Sequence, residues 1–181
     1  MRCSWVNEKN TLYIKYHDLE WGIPVYDDQK LFEMLILEMF QGGLSWETIL
    51  NKRENFRKAF DNFELDKIIN YNDKKIKELL TNKNIINNKE KIISVIKNAK
   101  IFKQIEKEYN SFSNYIWNFT NKEILYEDGT KIRNTLSDQV SIDLKKRGMK
   151  YIGSKTIYAY LSAIGVIYSH EKCCKLFKKN L

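Results

Sequence analysis

The sequence predicts an all-α fold, a helical bundle, and three observations carry that prediction. The 181 residues include only 7 Gly and 1 Pro, too few turn formers for the many reversals of an all-β domain. Apolar side chains recur at helical spacing in six segments, and strand-like alternation is weak everywhere. Hydrophobic residues make up 43% of the chain and aromatics 13%. That is enough for a core without staples in one domain, 1–181.

The elements follow in chain order. Residues 29–41, QKLFEMLILEMFQ, are apolar around nearly the whole helical circumference and predict a central buried helix. The GGLS break (42–45) ends it, and Ser45 can cap the next helix over 46–60, whose inner stripe is Trp46, Ile49/Leu50, Phe56 and Phe60. Its other face carries Lys52, Arg53, Arg57 and Lys58. Residues 73–82 and 89–107 are amphipathic helices joined by the short link KNIINN (83–88). A helix over about 137–147 starts at Ser137 or Asp138 and stops at Gly148, and Ser154 caps a last one running to about 169.

The opening residues MRCSWVNEKN contain no apolar stretch of the secretory type, and no run approaches a membrane span, so a cytoplasmic protein is expected. Formal charge is +8, distributed as −3 over residues 1–46, +5 over 47–110 and +6 over 111–181. A basic surface favours phosphate backbones. A plainer source competes with it: Lys, Asn and Ile account for 66 of the 181 residues, a compositional bias that raises charge by itself.

His and Cys are placed unevenly. The two His, His17 and His170, and the three Cys, Cys3, Cys173 and Cys174, all lie in the first 17 or last 12 residues. His170 and Cys174, four apart, would share a face of a helical turn. With Cys3 and His17 they could complete a tetrahedral Cys2His2 zinc site clasping the termini. The alternatives are surface histidines with small buried cysteines, or a Cys3–Cys174 disulfide, which a reducing cytosol disfavours.

Several runs then resemble one family in order: RCSWV (2–6), LYIKYHDLEWGIP (12–24), KLFEMLILE (30–38), QGGLSWETIL (41–50), KRENFRKAF (52–60), KRGMKYIGSKTIYAYLSAIG (146–165) and HEKCC (170–174). The chain resembles 3-methyladenine DNA glycosylase I, a bacterial base-excision repair family, along nearly its whole length; only 111–135 lacks a diagnostic motif. The resemblance implies a fold of the helix–hairpin–helix DNA glycosylase class, with one structural Zn2+ held by Cys3, His17, His170 and Cys174, and a monomer acting on double-stranded DNA that contains alkylated adenine. The gap from Cys3 to His17 is one residue longer than the family pattern, an insertion around Asn7–Asn10.

Carried onto this sequence, the resemblance lines a base pocket with Tyr13, Tyr16, Trp21 and Trp46 and puts Glu38 at its floor as the catalytic carboxylate. That suits the chemistry: a flipped base is held between aromatic faces, and N3-methyladenine in DNA is a cation that electron-rich rings attract. Core packing is the plain alternative for each ring, and for Glu38 it is a buried carboxylate satisfied by backbone N–H groups or a Lys. Gly43 and Leu44 would fill the gap left by the extruded nucleotide. The 83–88 link would be the hairpin that grips a phosphate, with Asn84 where the family has Gly, and with Lys83, Lys89 and Lys91 as counter-charge. Asn tolerates the positive φ such a turn would need. No acid stands in KIISVIKNA after the hairpin, which implies a monofunctional enzyme relying on the cationic base as its own good leaving group. A non-enzymatic zinc-stabilised DNA-binding protein and a helical adaptor are the competing readings.

Overall fold

The computed structural model of the chain describes residues 1–178. Helix α1 (Thr11–Leu19) starts where the Asn10 side chain accepts hydrogen bonds from the Leu12 and Tyr13 N–H groups. Helix α2 (Asp28–Gln41) is the central one expected: every residue from Leu31 to Phe40 is buried. Ser45 caps α3 (Trp46–Ala59) through the Thr48 N–H at 3.2 Å, as its sequence predicts. A 3-10 turn (Asp61–Phe63) and a single-turn α4 (Leu65–Ile68) lead to α5 (Asp73–Thr81), α6 (Lys89–Tyr109) and α7 (Phe112–Asn118). Strand β1 (Leu125–Tyr126), α8 (Thr135–Lys146), α9 (Ser154–Ala163) and strand β2 (Ile167–Tyr168) complete the described chain.

Helix α2 packs against α3, α6, α7 and α9, so its all-round apolar surface has a partner on every side. Phenylalanines fill the joints: Phe32 meets Phe102 edge-on at 5.1 Å between centroids, Phe40 meets Phe56 at 4.9 Å, and Phe102 stacks on Phe112 at 3.8 Å. Each buried Phe contributes about 1.5–3 kcal/mol through lost apolar surface. The start of α2 is tied to α7, because the Asp28 carboxylate accepts from the Phe112 and Ser113 N–H groups at 2.8 and 2.7 Å.

Three expectations from periodicity need correction. Helix α8 begins at Thr135, because Asn134 outcompetes Ser137 and Asp138 as the cap: its side chain accepts from the Ser137 N–H while the Ser137 hydroxyl takes the Asn134 N–H at 2.9 Å. Ser154 is the first residue of α9 rather than its cap, and its hydroxyl bonds Asp138. That helix stops near Gly165, well short of 169. Gly165 has φ +76, and a Cβ there would lie 2.5 Å from the backbone of Ile23 and Pro24, so only glycine allows this approach. The apolar residues that follow form β2, paired in parallel with β1 as Leu125 with Ile167 and Tyr126 with Tyr168. None of the described helices is long and apolar enough to cross a membrane.

Candidate active site

A cavity of about 610 Å³ opens between α1, the end of α2, the start of α3 and α9. Tyr13 and Tyr16, three apart on α1, enter from one side. Trp21 follows from the turn after α1, and Trp46, the first residue of α3, from the other side. The Tyr16 and Trp46 rings are 5.2 Å apart and tilted by 43°. Glu38, in the last turns of α2, also lines the cavity. All five residues expected there by resemblance are together.

Glu38 is buried, and its Oε2 has no hydrogen-bond partner among the described residues. Burial alone pushes its carboxyl up to about 8. Nearby Glu33 is the contrast: equally buried, it is bonded by Arg53 and Arg57 at 2.8 and 2.7 Å and is held below the usual carboxylate range. The backbone or lysine partner that the plain alternative requires for Glu38 is absent among the described residues, and Trp46 Nε1 is likewise unpartnered there. Two residues that line one aromatic cavity thus each carry a buried polar atom with no partner among the described residues.

The sequence reading missed part of the wall. Trp5 lines the cavity, 4.9 Å from Trp21 and 5.5 Å from Tyr13, although it stands inside the RCSWV run. Lys155, Thr156 and Tyr158 of α9, and Gly129, Lys131 and Ile132 before α8, close the far side. The latter belong to the stretch without a diagnostic motif, and their spacing carried no signal.

Behind the aromatics, Cys3, His17, His170 and Cys174 are all buried and bring their ligand atoms within 4.8 Å of one another, a group that could hold a metal ion. Sγ of Cys3 is 3.5 Å from His170 Nδ1, and Sγ of Cys174 is 3.5 Å from His17 Nε2 and 3.6 Å from His170 Nδ1. Backbone N–H groups of Glu171 and Leu176 each donate to one sulfur at 3.4 Å. His17 Nδ1 is held by Asp18 at 2.7 Å, and Asp18 in turn by Arg2 and Lys175. Burial brings the His170 imidazole down to about 4, which keeps it neutral and able to ligate. Cys173 points outward, so the choice of Cys174 stands, but residues 170–174 form a turn rather than the expected helical face. Trp21 joins cluster to cavity, with its ring edge-on to His170 at 4.7 Å.

The GGLS break forms the rim. Gly42 has φ −48 and ψ 111, Gly43 has φ +88, and the Leu44 N–H donates to Gln41 O at 2.6 Å. This is a type II turn, which needs glycine at its third position. Leu44 stands out at its end, 41% exposed.

The proposed hairpin departs from expectation in two ways. Asn84 does not adopt positive φ; its N–H donates to the Asn82 side chain at 2.9 Å and Lys52 Nζ donates to its carbonyl at 3.1 Å, so an Asx-type turn replaces the glycine geometry. Lys91 is buried and donates to Phe40 O and Gly42 O, both at 3.0 Å, so it offers no counter-charge to a phosphate. Lys89 is exposed at the start of α6, whose Lys91 N–H is already taken by the Asn88 cap. The basic face expected on α3 is partly neutralised: Arg53 is buried, with its guanidinium bonded to both Glu20 and Glu33.

Comparison with known proteins matches residues 5–178 to the family described as methyladenine glycosylase. The chain is 40% identical to a DNA-3-methyladenine glycosylase of Haemophilus influenzae over 96% of both chains. It is 37% identical to DNA-3-methyladenine glycosylase 1 of Escherichia coli over 99% of this chain and 98% of that one. A solved structure concerning 3-methyladenine recognition by 3-methyladenine DNA glycosylase I of Staphylococcus aureus superposes with a TM-score of 0.92 at 32% identity, covering 99% of this chain and 98% of that one. With its aromatic cavity, its order of motifs and these matches along its length, the chain belongs to the methyladenine glycosylase family of enzymes.

Proposed function

We propose that this enzyme extrudes N3-methyladenine from double-stranded DNA and hydrolyses its glycosidic bond, leaving an abasic site. The observation that carries the reading is the unpartnered, buried Glu38 carboxyl among Tyr13, Tyr16, Trp21 and Trp46. A cavity that raises a carboxyl to about 8 repels an anion and rewards a cation, because a positive base restores the carboxylate while donating hydrogen bonds to it. The aromatic faces add cation–π attraction of about 1–2 kcal/mol per well-placed ring. A cationic purine already leaves readily, so the groups in the cavity have mainly to hold the base and the developing sugar cation until water attacks. Gly43 and Leu44 fill the vacated stack, while α5, the 83–88 link and α6 act as the helix–hairpin–helix pair that holds the backbone through Asn84 and Lys89. The protein works as a cytoplasmic monomer.

The Cys/His cluster suits one structural Zn2+. A tetrahedral ion with Zn–S of about 2.3 Å and Zn–N of about 2.0–2.1 Å has S···N edges of about 3.5–3.6 Å, and three of the four S···N edges of the cluster measure 3.5, 3.5 and 3.6 Å. Four protein ligands leave no open position, so the ion would cross-link Cys3, His17, His170 and Cys174 and take no part in the reaction. Incubation with alkylated duplex DNA, followed by chromatography of the released bases, tests the activity. Free 3-methyladenine with uncleaved abasic strands is the expected product, and DNA binding without base release would overturn the reading.

A further inference from the structure

We propose that Lys91 is a positioning residue that sets the rim turn for nucleotide extrusion, locking Leu44 to the helix that grips DNA. The inference rests on the reading of Leu44 as the residue that enters the base stack. The ammonium reaches from the first turn of α6 to the end of α2, where it donates to Phe40 O and Gly42 O at 3.0 Å each. Gly42 O belongs to the central peptide of the Gln41–Leu44 turn. Type I and type II turns differ by a flip of that peptide, so a fixed donor on its carbonyl selects the type II form seen here, with φ +88 at Gly43. A Cβ at Gly43 would meet nothing within 4 Å, so nothing packs on that position; the Leu44 N–H to Gln41 O bond and the Lys91 bond to Gly42 O hold the turn, and the Lys91 bond to Phe40 O ties it to α2. Lys91 is also the α6 residue whose N–H is capped by Asn88, directly after the 83–88 link. A backbone phosphate held at the link and the side chain filling the stack are thus joined through one side chain rather than through a flexible glycine loop. A buried lysine with only carbonyl acceptors is costly unless a helix C-terminus faces it, as α2 does here.

The test is a mutant cycle of Lys91→Met, Leu44→Ala and the double variant, with single-turnover release of 3-methyladenine from duplex DNA as the readout. Lys91→Met should slow release by roughly ten-fold, the scale of a lost charged hydrogen bond. Affinity for free 3-methyladenine should stay within two-fold of wild type, because the cavity floor is untouched. Added to Leu44→Ala, it should cost less than a further two-fold. Full multiplicative losses, no loss at all, or an equal loss of free-base affinity would each overturn the proposal. An effect of Lys91→Met without any effect of Leu44→Ala would remove the wedge reading and this inference with it. Amide exchange requires no substrate: the Leu44 N–H should exchange at least ten-fold faster in Lys91→Met while Ile36 in mid-α2 is unchanged, and unaltered Leu44 exchange would refute the role of Lys91 on its own. If the Met variant does not fold, Lys91→Leu, which likewise carries no donor, is read in the same way.

Discussion

Replacing Glu38 with Gln should make the protein more stable and less active at the same time, and pH separates the causes. The Glu38 carboxyl is raised from 4.5 to about 8 by burial. A group with a raised folded pKa contributes stability that is complete below about 4.5 and is lost as pH climbs toward 8, because the unfolded chain releases the proton and the folded one must keep it. At pH 7 that retained proton costs about 3 kcal/mol, at about 1.4 kcal/mol per pH unit. Gln fills the same space and carries no such cost. Thermal melts of both proteins should therefore diverge as pH rises, with the Glu38→Gln variant gaining roughly 3–5 °C per unit up to pH 8 and nothing further above it. Comparing the two proteins cancels every group they share, including the Cys/His cluster. Base release should move the other way, falling ten- to a hundred-fold with the loss of a bond to a charged partner. Parallel melting curves between pH 6 and 8 would show that Glu38 is solvated rather than stranded. Unchanged release per folded molecule would remove it from the site.

Other outcomes follow from the same geometry. Arg53→Met leaves Glu20 facing Lys30 alone at 3.9 Å and Glu33 with Arg57 only; unfolding in urea should register a loss of about 3–5 kcal/mol. Gly43→Ala meets no steric neighbour but forces a left-handed alanine, so a melt should fall by about 1–2 kcal/mol and base release should fall with it. Purified protein should carry about one zinc per chain by elemental analysis. His170→Ala should lose the zinc, lower the melting temperature and quench or shift the fluorescence of Trp21, whose ring abuts that imidazole.

Long, periodic elements could be read from the sequence because each carries its own partner pattern. Helices α2, α3, α5 and α6 lie within two residues of where apolar spacing puts them. Helices α4 and α7 span one or two turns, too short for a period to register, and β2 has two residues whose pairing partner lies some forty positions upstream. Among the site residues, Glu38 and the aromatics came from motif resemblance, since no spacing distinguishes a lining Trp46 from a core one. Trp5 lies in the RCSWV run of the same resemblance, but its place in the wall depends on the chain folding back from Cys3 to meet Trp21. Lys91 shows the reverse failure. A lysine in a basic segment reads as surface, and only the approach of the α2 carbonyls shows where its ammonium ends.

The Cys/His cluster has a consequence for how the chain reaches its final form. Cys3 and His170, in contact in the folded protein, are 167 positions apart in sequence, about as non-local as a contact in a chain of this size can be. Synthesis proceeds from the N-terminus, so α1 and the entire α2 core exist before residue 170 leaves the ribosome. Until it does, Trp21 lacks the imidazole it leans on, and Cys3, two residues before Trp5, lacks its His170 contact. The base cavity is therefore among the last parts to become rigid, and an incomplete chain ending before residue 170 would hold a helical core but an unfinished pocket wall. Pulse-labelled exchange during refolding should show amides of α2 protected first and those near Trp5 and Trp21 last, with the second phase accelerated by added metal.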